Sequence, residues 1–307
     1  MASRRRSRLA ALLVATAVLA SCSDGRVGED PPAGVAEPTT APGTAPASTV
    51  VTAPATTISI QPTTTAPTPD MDELPDLGAE VRVPEGEGGR FPAVVLVHGG
   101  GWVGGSPSMM SDLAENLTRE GFLTVNTPYR LAASRSPGFP GALEDVACAV
   151  SYAAAHPNSD GTVALVGYSA GAHLGAVVAL TGGLYAQGCP VPGNGVPDRF
   201  VGLAGPYDVS RLGIAVVPFF GGGPEAAAAA WAAGNPQLLA DANPALISLL
   251  LHAEHDGFVD LSHAVAFQKA LTESGSQALL EIVEGARHVD LHDPAFVADL
   301  VVTWLER

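Results

Sequence analysis

The chain has 307 residues, 31 of them acidic and 15 basic, for a formal net charge of −16 at pH 7. A balance this acidic argues against nucleic acid as a partner and against a basic membrane-binding face. The length allows one large domain or two small ones.

Residues 1–21 open with Arg4, Arg5, Arg6 and Arg8 and continue as an apolar run over 9–20. The run is short for a bilayer span and has the layout of a secretory signal. It ends Leu19, Ala20, Ser21, Cys22, which resembles the lipobox of bacterial lipoproteins. That resemblance implies a lipidated Cys22 as the first residue of the mature chain; an ordinary signal peptide with an incidental cysteine is the alternative. Without the signal the net charge is about −20. Residues 22–70 are rich in Pro, Thr and Ala and poor in large apolar side chains. Such a segment cannot bury enough surface to offset its ordering entropy, so a disordered tether is expected. The expected folded part is a single domain of residues 71–307, exported and held at a bacterial envelope or cell surface through Cys22.

Within that domain the pattern predicts a buried strand over 92–97 and a helix over 107–120. A strand over 122–126 and a helix over 143–155 follow, the helix stopping before Pro157. Next come a strand over 162–166, a small-residue helix over 170–180 and a short strand over 200–203. The chain closes with a strand over 245–251, a helix over 262–273, a strand over 278–283 and a helix over 295–305. Near-continuous apolar strands alternating with helices imply a mostly parallel sheet covered on both faces, an α/β fold. Residues 206–244 break the rhythm with FFGGGPE and an alanine run, either as a partial lid or as a surface excursion. Cys148 and Cys189 form a disulfide or stay as two buried thiols.

Sites in such sheets form at the carboxyl ends of strands. After 162–166 stands Gly167-Tyr168-Ser169-Ala170-Gly171, a G-x-S-x-G pattern between strand and helix. That setting presents a serine hydroxyl at a strained turn, with a helix N-terminus beside it. His173 is not its base, because no acid stands near it to orient the ring; packing or hydrogen bonding beneath the site suits it better. After 92–97 stands His98-Gly99-Gly100-Gly101-Trp102. The amides of Gly100 and Gly101, with that of Ala170, are candidate oxyanion donors. A plain glycine turn or a phosphate loop is the alternative, the latter disfavoured because no Lys or Ser/Thr pair follows. Asp256, just past a late strand, is the candidate acid, while Asp260 is read as a helix cap and His252 and His255 as loop residues with no metal-ligand spacing. His288, in the loop after the last strand, is the candidate base in preference to His292, and Asp293 caps the last helix. No metal or cofactor is expected.

Ser169, Asp256 and His288 fall in the chain order of α/β-hydrolases. Together with HGGGW at 98–102, PYRL at 128–131 and GYSAGAH at 167–173, they resemble the esterases of the hormone-sensitive-lipase and bacterial carboxylesterase/feruloyl-esterase (BD-FAE-like) type. The resemblance covers about residues 75–307. It implies the α/β-hydrolase fold, Ser169 as nucleophile, Asp256 as acid, His288 as base, and oxyanion donors at Gly100, Gly101 and Ala170. Asp256-Gly-Phe-Val-Asp260 is similar to the family's D-P-L-x-D with Gly257 for proline. Pro128-Tyr129-Arg130-Leu131 is similar to its N-Y-R-L, and Arg130 is read as a structural residue pairing with Asp145 or Glu144, with a solvated surface charge as the alternative. The family's N-terminal helical cap is replaced by the tether, so the cap should be small or absent. The expected activity is hydrolysis of short-chain carboxylic esters, small or envelope-borne, through an acyl-enzyme. A formamidase or peptidase on the same core is the rival enzyme reading, and a non-catalytic surface binding protein the rival from another class. Trp102, Phe219 and Phe220 either line the substrate pocket or belong to the core.

Overall fold

The computed structural model describes residues 74–86, 88–133 and 136–307. The signal peptide, Cys22 and the tether expected over 22–70 lie outside the described residues. Among the described residues no helix is long and apolar enough to cross a membrane.

Seven strands form one sheet in the order β1-β3-β2-β4-β5-β6-β7. They are β1 (Glu80–Arg82), β2 (Phe91–Val97), β3 (Leu123–Thr127), β4 (Ser159–Tyr168), β5 (Arg199–Leu203), β6 (Ile247–His255) and β7 (Gln277–Arg287). All pairs are parallel except β1 with β3. The principal helices are α1 (Ser111–Arg119), α2 (Gly141–Ala155) and α3 (Ala170–Tyr185). Two short ones follow, α4 (Val217–Phe220) and α5 (Ala228–Ala233), and then α6 (Ser262–Glu273) and α7 (Pro294–Leu305).

The central strands show why both faces are covered. Along β2, Ala93, Val95 and Val97 enter one apolar cluster and Val94 and Leu96 the other. Side chains alternate across a strand, so an unbroken apolar run demands a cover on each side. One cover is α2, α3 and α6, through residues such as Val146, Leu174 and Phe267. The other is α1 and α7, through Leu113, Leu117, Val297 and Val301. α3 is buried from Ala170 to Leu180, as a helix apolar all round must be.

Several elements differ from the reading of the sequence. The helix expected over 107–120 begins as a 3-10 turn, Pro107–Met110, before α1. β1 went unseen because three residues carry no periodicity. β6 runs past Leu251 to His255, pairing with a lengthened β7 across an irregular step between Ala253 and His255. His252 and His255 are therefore strand residues rather than loop residues. Polar side chains at the tip of a buried strand imitate a loop in one dimension.

Residues 206–244 contain α4, α5 and two 3-10 turns, Val209–Val216 and Pro236–Leu238. Phe219, Phe220 and Trp231 anchor the segment by being buried, and the Trp231 indole donates to the Gly222 carbonyl at 2.9 Å. Cys148 on α2 and Cys189 beyond α3 are joined as a disulfide.

Candidate active site

Ser169 sits between β4 and α3 with φ 52° and ψ −116°. This is a left-handed conformation for a side-chain-bearing residue, costing on the order of 1–3 kcal/mol and held only by its surroundings. Those surroundings are specific. The Ser169 amide donates to the Leu203 carbonyl at 2.8 Å, and the Ala204 amide to that of Leu251 at 2.8 Å, so the ladder continues past the strand ends. A Cβ on Gly167 would strike the Gly171 backbone, and one on Gly171 would strike the carbonyls of Val97 and His98. The two glycines of the motif are thus required by close backbone approach on both sides of the serine.

The three candidate residues, far apart in the chain, meet at the carboxyl edge of β4, β6 and β7. His288 Nε2 lies 3.0 Å from Ser169 Oγ, and His288 Nδ1 lies 2.7 Å from Asp256 Oδ2. The other carboxylate oxygen of Asp256 accepts from the amides of Phe258 and Val259, each at 2.8 Å. Burial would raise the Asp256 carboxyl, but the bonds from His288, Val259 and Phe258 outweigh it and hold the group below the usual carboxylate range. Asp256 is therefore anionic at neutral pH, and an Nδ1–H on His288 donates to it. Nε2 is left as the acceptor that faces the serine hydroxyl.

His288 itself lies in a 3-10 turn, His288–Asp290. Arg287 closes that turn with a two-pronged bond to Asp290, from Nε to Oδ2 at 2.9 Å and from Nη2 to Oδ1 at 2.8 Å. The Tyr168 hydroxyl, one residue before the serine, donates to the His288 carbonyl at 3.1 Å. Burial, with Asp256 and Asp290 nearby, pushes this phenol up to about 12, so it stays a donor.

The glycine loop after β2 stands beside the serine. A methyl group on Gly99 would come 3.2 Å from Ser169 Cβ. The Gly100 carbonyl accepts from Val103 and Gly104 and closes the turn. Among the described residues the Gly100 and Gly101 amides take no backbone acceptor. The Ala170 amide belongs to the first turn of α3, where N–H groups have no intrahelical partner. The loop is braced from below: the Tyr129 ring stacks on His98 at 4.3 Å and its hydroxyl donates to the His98 carbonyl at 3.2 Å. Arg130 binds both expected partners, Asp145 through Nε at 2.9 Å and Glu144 through Nη2 at 2.8 Å.

Asp293 accepts from the Ala295 amide and caps α7, whereas Asp260, one residue before Leu261, the N-cap of α6, accepts from the Ser262 amide. His292 packs on Tyr168. Of the two readings for Trp102, Phe219 and Phe220, burial favours the core. Trp102, Phe219 and Phe220 are all buried, and they pack with Phe139 as an aromatic cluster beneath the loop. The exposed aromatic at the site is instead Phe258. It is 78% exposed, with its ring 5.3 Å from that of His288. No sequence signal marks it beyond its place two residues after Asp256. His252, also missed, is buried with Nε2 on the Val259 carbonyl at 3.1 Å and 3.8 Å from Asp256 Oδ2. Burial lowers its pKa against the pull of Asp256.

A seven-stranded, mostly parallel sheet covered on both faces, with serine, acid and histidine at the ends of β4, β6 and β7, has the α/β-hydrolase fold. Residues 79–194, which carry the glycine loop and the serine elbow, match the BD-FAE family model. The chain is 31% identical over 124 residues to Esterase LipC of Mycobacterium tuberculosis (strain ATCC 25618 / H37Rv). That match spans 38% of this chain and 30% of the relative, less than a third of its length. Among solved structures, a truncated carbohydrate esterase from gut microbiota aligns with TM-score 0.64 at 19% identity, over 74% of this chain and 89% of that one. The butyrate-bound Est2 esterase of Thermogutta terrifontis aligns with TM-score 0.60 at 17% identity, over 74% and 86%.

Proposed function

We propose that the protein is a serine hydrolase of carboxylic esters. The single observation that carries this reading is the hydrogen-bond chain from Ser169 Oγ through His288 to Asp256. In this reading His288 Nε2 takes the Ser169 proton as Oγ adds to the ester carbonyl. Asp256 keeps the ring in the required tautomer and stabilises its cation. The amides of Gly100, Gly101 and Ala170 bind the oxyanion; losing one such donor costs roughly 10²–10³ in rate. His288 then gives the proton to the departing alcohol. Water, deprotonated by His288, adds to the acyl-enzyme and releases the acid and Ser169. A short acyl chain is part of this reading, on the likeness of the fold to the butyrate-bound Est2 esterase.

The test is hydrolysis of p-nitrophenyl acetate, butyrate and octanoate, beside a formanilide and an aminoacyl anilide. The expected order is acetate and butyrate first, with Ser169→Ala inactive though folded. Retained activity in that variant overturns the nucleophile, and faster turnover of an anilide overturns the ester preference.

We also propose that the chain is exported and lipid-anchored at Cys22, on the strength of the Leu19-Ala20-Ser21-Cys22 stretch after an apolar run. Cys22→Ala should abolish labelling by a palmitate analogue in cells; undiminished labelling contradicts the anchor.

A further inference from the structure

His173 is the one histidine of the elbow motif that the proposed reaction does not use, and it is fully buried. Both ring nitrogens have partners on other segments. Nδ1 lies 3.1 Å from the Trp102 indole nitrogen, and Nε2 lies 2.7 Å from the Gly234 carbonyl. An indole can only donate, so Nδ1 is the acceptor, and the proton sits on Nε2, which donates to Gly234. Burial drives the ring pKa down to about 4, so the neutral form that these bonds need is the one present at neutral pH. The ring also meets Trp102 and Phe219 edge-on, at 5.3 and 5.6 Å.

The partner on the glycine loop is itself unusual. Trp102 has φ 64°, a left-handed conformation for a bulky residue, directly after Gly101. Such a conformation persists only where contacts over-determine it. Trp102 is held by its carbonyl, which accepts from Ala132 at 2.8 Å, and by its indole, held through His173. The residue that fixes the end of the glycine loop is thus tied to the helix that starts at Ser169, since the His173 amide bonds the Ser169 carbonyl at 3.1 Å.

We propose that His173 is a positioning residue: it locks Trp102, and through it the Gly100 and Gly101 amides, at a fixed place relative to Ser169, using the segment between β5 and β6 as its backstop. The inference rests on the serine esterase reading and assigns that segment the role of a clamp on the oxyanion loop. A loop set loose by loss of His173 would still admit substrate but would stabilise the developing oxyanion less. The defect should therefore fall on kcat rather than KM.

The experiment compares His173→Phe, which keeps a planar ring and loses both bonds, with His173→Gln, whose amide offers an acceptor and a donor. Each is assayed on p-nitrophenyl butyrate and for inhibition by a trifluoromethyl ketone, which forms an oxyanion on the serine. The expected result for His173→Phe is a roughly 10–100-fold fall in kcat with KM within about threefold, and the ketone weakened by the same factor. His173→Gln should recover most of both. Unchanged kcat and ketone affinity in a folded His173→Phe overturns the proposal, as does a loss confined to KM. Should His173→Phe fail to fold, Trp102→Phe removes the indole donor together with part of the ring, and unaltered ketone affinity there overturns it equally. Failure of the esterase reading looks different, because wild type and Ser169→Ala would then hydrolyse the ester alike.

Discussion

Asp256 directs both carboxylate oxygens inward, one to His288 and one to two backbone amides. Replacing it by Asn leaves the shape and turns the acceptor facing His288 into a donor, so His288 would be held with its proton on the wrong nitrogen. Asp256→Asn is expected to lower kcat about 10⁴-fold with KM little changed; steady-state kinetics on p-nitrophenyl butyrate checks it, and a loss below tenfold contradicts the assigned role. The triad candidates were legible at this scale because each follows a strand end, and their order matches one fold. Phe258 was not legible. An exposed aromatic beside a base is chosen by what it meets in space, and Gly257-Phe258-Val259 carries no pattern that says so.

At the scale of elements, apolar runs identified β2 to β5 and the body of β6, with β2 and β5 ending as expected, while the ends of β4, β6 and β7 were misjudged. Pairing decides where a strand stops: β6 and β7 extend each other to His255 and Arg287. That extension delivers Asp256 and His288 to the same edge. The segment between β5 and β6 was ambiguous because its order comes from single buried anchors, Phe219, Phe220 and Trp231, and not from any period. The disulfide closes a separation of 41 residues between α2 and the turn after α3. Loop-closure entropy makes it worth about 4 kcal/mol of stability. The double variant Cys148→Ala/Cys189→Ala should therefore lose about that much in urea unfolding while keeping kcat, since neither cysteine touches the triad. An unchanged unfolding midpoint contradicts that contribution.

At the scale of the whole molecule, burial lowers the pKa of His98, His156, His173, His252 and His263. Between each folded value and the unfolded one near 6.5, the unfolded chain binds the extra proton. Their contribution is thus fully present above about pH 6.5 and is lost as pH falls towards the folded values, about 4 for His173. Asp256, Asp208 and Glu80 are shifted below the usual carboxylate range and add a further loss at lower pH. The expected outcome is a Tm lower at pH 5 than at pH 7; a flat profile over that interval contradicts it.

The fold class was readable from alternation alone, and it is shared with esterases at 17–19% identity, because a sheet needs only apolar character at the right period. The assembly of the site was not, since contacts across more than a hundred residues exist only once the strands have paired. The central claim, that Ser169 is activated by His288 and Asp256, is tested most directly by fluorophosphonate labelling followed by peptide mass mapping of the adduct. A single adduct on Ser169, lost in His288→Ala, is the predicted result. An adduct on another residue, or labelling of Ser169 that persists undiminished without His288, would contradict it.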